Sequence, residues 1–131
     1  MRRLLLAAKT FSDPTRVRVM AALREGEVCV CELCDGLGIT QSTLSTHLQV
    51  IRRSGLVRMR RDGKWCYYRL APGVEPLVRM LFECFGGDLT KDRRVRADAS
   101  RLKARLQLRE KGGCCVGAVF KAAPRIRREN R

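Results

Sequence analysis

Apolar residues recur at helical spacing along most of the chain and switch to strict alternation in its middle. Over residues 12–25, Val17, Met20, Ala21 and Leu23 keep a helical period. Ser12 or Asp13 can cap that helix, and Pro14 fits its first turn, where a missing N–H costs nothing. Residues 31–37 predict a short helix closed by Gly38, then a tight turn at Ile39 and Thr40 that caps the next helix. Over residues 41–53, Leu44, Leu48 and Ile51 form one buried stripe, and Gly55 ends it. Residues 56–70 alternate instead. Val57, Met59, Cys66, Tyr68 and Leu70 fall on one side, and Arg58, Arg60, Trp65, Tyr67 and Arg69 on the other. Asp62-Gly63 between them predicts a type I′ hairpin, pairing Arg61 with Lys64, Met59 with Cys66 and Val57 with Tyr68.

Residues 74–85 predict a further apolar helix, stopped by Gly86-Gly87. Residues 89–111 predict another, with Val95, Ala99, Leu102 and Leu106 as a stripe among arginines. At the start, Leu4–Ala8 gives an apolar run shorter than the roughly 7–15 residues of a signal-peptide core, and no small-residue cleavage site follows. Residues 1–11 therefore predict an amphipathic first helix of a cytoplasmic protein. No stretch approaches the roughly 20 apolar residues of a membrane span. The expected organisation is a first domain over 1–87, a C-terminal helix over 88–111, and a flexible basic tail with a cysteine pair over 112–131.

Charge sharpens this picture. A net +15, from 28 basic and 13 acidic residues, attracts polyanions, and nucleic acid is the commonest such partner. Two short helices, a tight turn, a longer helix and a basic hairpin describe a winged helix-turn-helix. The fold class expected is mainly α with a small β-hairpin and an extra C-terminal helix, with residues 1–87 as the DNA-binding domain. The second helix of such a motif enters the major groove. Gln41, Ser42, Thr43, Ser45, Thr46 and Gln49 are its candidate contacts to base edges or phosphates. Arg60, Arg61 and Lys64 of the hairpin are candidates for the flanking backbone or minor groove. The plain alternative for them is an ordinary solvated hairpin.

The run Gly26-Glu27-Val28-Cys29-Val30-Cys31-Glu32-Leu33-Cys34, with SDPTRVRVMAAL, TQSTLSTHLQVIRRSGLV and RRDGKWCYYRL, resembles the ArsR/SmtB family of metal-responsive repressors. The CVCELC segment is similar to the arsenic-sensing branch. The resemblance implies a homodimer paired through the first and fifth helices, bound to double-stranded operator DNA without ligand and released on binding it. It implies no membrane and no other protein partner.

Thiol chemistry points the same way. Soft thiolates select thiophilic ions over magnesium or calcium. Trivalent arsenic takes three sulfurs, and Cys29, Cys31 and Cys34 supply that number. The expected inducer is As(III) or Sb(III), with no organic cofactor and no enzymatic activity. On an ideal helix Cys29 lies about 200° from Cys31, so the three converge only if the helix starts near Cys31 or its first turn unwinds. Cys114 and Cys115 form a possible second site. Cys66 and Cys84 read as small packed hydrophobes. His47, the only histidine, reads as packed or hydrogen-bonded rather than ligating. A cadmium-, lead- or zinc-responsive repressor and a thiol-redox repressor stay open as alternatives.

Overall fold

In the computed structural model, which describes residues 1–111, seven helices surround one small sheet. Helix α1 spans Arg2–Thr10 and α2 Pro14–Leu23, the latter capped by Asp13, whose Oδ1 accepts the Arg16 N–H at 3.0 Å. A two-residue strand β1 (Val28–Cys29) leads into α3 (Val30–Leu37), and α4 (Gln41–Ser54) follows with Thr40 as its cap. Strands β2 (Val57–Asp62) and β3 (Trp65–Leu70) form the wing. Then come α5 (Glu75–Cys84), α6 (Gly86–Lys91) and α7 (Arg93–Gln107), with a 3-10 turn over Leu108–Lys111. The expected basic tail and its cysteine pair lie outside the described residues.

The expected core stripes meet in one cluster. Met20 and Leu23 of α2, Leu33 and Leu37 of α3, and Leu44, Leu48 and Ile51 of α4 are all buried there. Burying each such side chain contributes roughly 1.5–3 kcal/mol, which fixes α4 with its polar face outward.

Three details depart from expectation. The hairpin pairs Asp62 with Trp65, Arg61 with Cys66, Met59 with Tyr68 and Val57 with Leu70, two residues away from the expected register. A type I′ turn on Asp62-Gly63 needs a left-handed Asp62. The observed turn makes Gly63, at φ +57°, its only left-handed residue, the sign pattern of a type II′ turn. Because the shift is even, the same residues keep the inner face.

The wing is also not a simple hairpin. Strand β1 adds to it, pairing Val28 with Tyr68 and Cys29 with Tyr67 in the order β1-β3-β2. Finally, the expected helix over 89–111 is broken. Gly86-Gly87 open α6 instead of only stopping α5, and Asp92 starts α7 anew by accepting the N–H groups of Arg94 (2.8 Å) and Val95 (3.0 Å).

Helix α7 lies along α3. Gly36 makes the approach possible, since a Cβ there would meet Leu102 Cδ1 at 3.0 Å and its backbone Cα at 3.3 Å. The seam carries charge as well as Leu102. Asp98 and Arg105 of α7 are both buried.

Candidate nucleic-acid interface and thiol site

Most of the expected reading residues stand on the outer side of α4. Ser42, Thr43, Thr46 and Gln49 are exposed and Ser45 is half-buried. Gln41 is buried and lines a groove between α4 and the wing with Arg52, Arg61 and Tyr68. Three of these hydroxyls already have local partners, Ser42 Oγ sharing a hydrogen bond with Thr40 Oγ1 at 3.2 Å. Thr46 Oγ1 donates to Ser42 O at 3.2 Å, and Thr40 Oγ1 donates to Thr43 Oγ1 at 3.1 Å. His47 sits half-buried, its Nδ1 3.6 Å from Asp13 Oδ1 and 3.5 Å from Arg16 Nη1.

The three basic wing residues divide. Arg61 and Lys64 are exposed near the turn, with the Lys64 ammonium 4.8 Å from the Trp65 ring centroid. Arg60 stands further back. Its guanidinium chelates the Glu27 carboxylate at 2.5–3.0 Å and stacks 4.3 Å over Tyr67. That hydrogen-bonded pairing with Arg60 holds the Glu27 carboxyl below its ordinary value. Glu27 therefore ties the wing to the segment just before the thiols, a link the sequence reading did not anticipate.

The thiols are arranged unequally. Helix α3 begins at Val30, so Cys29 is its extended N-cap residue and escapes the helical spacing that would separate it from Cys31. Cys31 Sγ donates to Cys29 Sγ at 3.3 Å. Two sulfurs on one centre with bonds of about 2.3 Å lie roughly 3.3–3.8 Å apart, so this pair already has a chelating separation. Of the two expected ways for these sulfurs to meet, the fold supplies the helix start next to Cys31. Cys34 differs. It is as buried as Cys29, 1% against 0% exposed, but packs within the apolar cluster rather than beside Cys31. Burial, together with the charges of Asp35 and Cys29, pushes its thiol up to about 12. Among the described residues no three His, Cys, Asp or Glu side chains are gathered to hold an ion.

The remaining cysteines split as well. Cys66 is buried, as expected, but opposite Arg61 rather than Met59. Cys84 is exposed on α5, contrary to the packed position expected for it. The apolar side of α5 is wider than its own chain covers, since Leu77, Met80 and Phe85 are exposed too.

Around the thiol pair, charge is dense and matched. The Glu32 carboxylate, fully buried, accepts the Cys29 N–H at 2.8 Å and the Arg109 guanidinium at 2.5–2.6 Å. Arg109 also donates to Glu27 O at 2.8 Å. Further along α3, Arg105 Nε meets Asp35 at 2.7 Å, Arg101 Nε donates to Gly36 O at 3.0 Å, and Arg18 bridges Leu37 O and Asp98. The stripe of apolar residues on α7 did not disclose this ladder. Its trace in the sequence is Asp98, Arg105 and Arg109, at helical intervals around Leu102, opposite Glu32 and Asp35.

A family model described as "Bacterial regulatory protein, arsR family" matches residues 13–59. The "Biofilm growth-associated repressor" of Xylella fastidiosa is 44% identical over 78 residues, which make up 59% of this chain and 68% of that protein. The chain belongs to the arsR family. Its match to the "Arsenical resistance operon repressor" of Escherichia coli is 45% identical over 67 residues, 50% of this chain. That match spans 57% of the Escherichia coli protein, little more than half its length. The homodimeric winged helix-turn-helix DNA-binding domain Mb0332 from Mycobacterium bovis superposes with a TM-score of 0.62 at 25% identity, over 70% of this chain and 86% of that one. The winged helix-turn-helix architecture of the arsR family is thus present here. Among the described residues no helix is long and apolar enough to cross a membrane.

Proposed function

We propose that this arsR-family chain is a homodimeric transcriptional repressor that leaves its operator when arsenite or antimonite binds cysteine thiols. The observation that carries the reading is the Cys29–Cys31 pair at 3.3 Å. Arsenite is neutral, and exchanging its hydroxyls for thiols releases water without burying net charge. That suits a site where the neighbouring Glu32 is already matched by Arg109. Cys29 and Cys31 take the ion first. Cys34, the third thiol of the run, joins only by leaving the core beside Leu33 and Leu37, which disturbs the helix that seats α4.

DNA is read by Ser42, Thr43, Ser45, Thr46 and Gln49 of α4, with Gln41 at the inner edge, and gripped through phosphates by Arg61 and Lys64 of the wing. Arg60 supports the wing through Glu27. The exposed Leu4 and Leu5 of α1, Leu77 and Met80 of α5, and Phe85 just after it supply the apolar surface for a second copy. Cys29 is laddered to Tyr67 in the wing strand, so a ligand on this thiol acts on the DNA-gripping element through backbone hydrogen bonds.

A mobility shift on the chain's own upstream DNA, titrated with arsenite, antimonite, cadmium, zinc and peroxide, tests this. Arsenite should release the wild type and leave Cys31→Ser bound at the same concentration. Release of both alike removes the proposed site; release by cadmium or peroxide alone replaces the inducer. Alanine at Arg61 and Lys64 should weaken binding across sequences and lower the salt slope by about 1–2. An unchanged slope removes the wing contact.

A further inference from the structure

We infer that the groove between α4 and the wing is a seat for one DNA backbone phosphate, held between Arg52 of α4 and Arg61 of β2. This rests on the reading of α4 as the helix that enters the major groove. It adds Arg52, which the sequence reading left out of the contacts.

Ser45, Gln49 and Arg52 stand at i, i+4 and i+7, so they share the face of α4 that lines this groove. Arg61 enters from the wing, and the buried Gln41 and Tyr68 complete the polar lining. Two guanidiniums line the groove and no carboxylate does. Other arginines differ. Arg18, Arg60, Arg105 and Arg109 meet Asp98, Glu27, Asp35 and Glu32, whereas Arg52 has no carboxylate in ion-pair reach among the described residues. Both cations act on the Tyr68 hydroxyl: burial pushes its pKa up, and the charges of Arg52 and Arg61 oppose that rise. Positive charge therefore converges on neutral polar groups, which is the chemistry of an oxyanion seat. The space is about 80 Å3, several times the roughly 10–15 Å3 that seats one water, so the oxygens of a phosphate fit.

The way a duplex meets this fold makes that anion a backbone phosphate. A helix in the major groove and a wing at the adjacent minor groove lie on either side of one sugar–phosphate strand. That strand crosses the gap between α4 and the wing, which is this groove. A guanidinium suits the contact because its paired N–H donors match phosphate oxygens. The contact is blind to base identity and fixes the register in which α4 enters. A plainer role for Arg52 lies in the last turn of α4, where any cation complements the helix dipole. The two roles differ in what they predict for DNA.

Fluorescence anisotropy of the full chain on its upstream DNA, over a series of KCl concentrations, tests the seat. A scan replacing single phosphates by neutral methylphosphonates locates it. Arg52→Ala should weaken operator and unrelated DNA alike, by about tenfold, and lower the salt slope by about 1. Arg52→Lys should keep the wild-type slope, because the charge stays, yet bind more weakly than wild type for want of the fork. In the scan, wild type should lose affinity at a phosphate between the α4 and wing contacts of each half-site, and Arg52→Ala should be indifferent there alone. An Arg52→Ala protein with the wild-type slope, or one still sensitive at every phosphate that wild type senses, overturns this inference. So does a variant whose only defect is a lower melting temperature. Wild type that binds its upstream DNA without salt dependence brings down the parent reading, and this one with it.

Discussion

Helix α3 is held on two sides by opposite physics. Towards α2 and α4 it buries Leu33, Cys34 and Leu37 in a non-directional apolar cluster. Towards α7 and the turn after it, α3 presents Glu32, Asp35 and the Gly36 carbonyl, each met by an arginine, while its last carbonyl, Leu37 O, accepts from Arg18 of α2. Apolar packing fixes that α3 is buried; the charged ladder fixes which helix covers it and in what register. Cys29 and Cys31 sit at the end of α3 where the ladder finishes, so the proposed inducer site borders the polar seam.

Breaking one rung separates the two contributions most sharply. The Arg105 and Asp35 side chains are each 3% exposed, so Arg105→Leu strands a buried carboxylate and should destabilise by about 3–5 kcal/mol in urea unfolding. The double change with Asp35→Leu should recover most of that loss. A single variant no worse than the double would mean the ladder is not a buried electrostatic unit. On the apolar side, Leu44→Ala should cost about 3 kcal/mol through lost burial and a residual cavity. Its effect should not vary with salt. A strong salt dependence there would erase the distinction between the two sides.

The smallest effect belongs to the exposed outpost of the charged network, Glu27 with Arg60. Pairing lowers the Glu27 pKa from its ordinary 4.5, so its contribution is complete above that value and fades as pH falls through the lower folded one. Thermal melts of wild type and Arg60→Ala should therefore differ slightly at neutral pH and converge in acid. A difference that grows on acidification would contradict the pairing.

Much of the reading helix was legible because its reasons are local. A cap at Thr40, a stripe of Leu44, Leu48 and Ile51, and short polar residues between them specify α4 without reference to the rest of the chain. The wing was legible in face but not in register. Alternation fixes which side is buried, whereas the turn depends on which residue takes the left-handed conformation, and Gly63 took it alone. The thiol site was legible in composition and not in geometry. Spacing within an ideal helix set Cys29 apart from Cys31, yet the helix starts after Cys29 because that residue is held in the sheet beside Tyr67.

By itself the sequence determined the arsR-type order of elements, the core stripes, the basic wing and a cluster of three thiols. These follow from periodicity, capping and side-chain chemistry, all of which act over a few residues. Only the tertiary structure decided which thiols can meet, that α7 splints α3 through arginines, and that Glu27 links the wing to the thiol turn. Those outcomes depend on pairs far apart along the chain, such as Glu27 with Arg60, 33 positions away, and Glu32 with Arg109, 77 positions away. No local pattern encodes such distances; burial and charge compensation select them once the chain has folded.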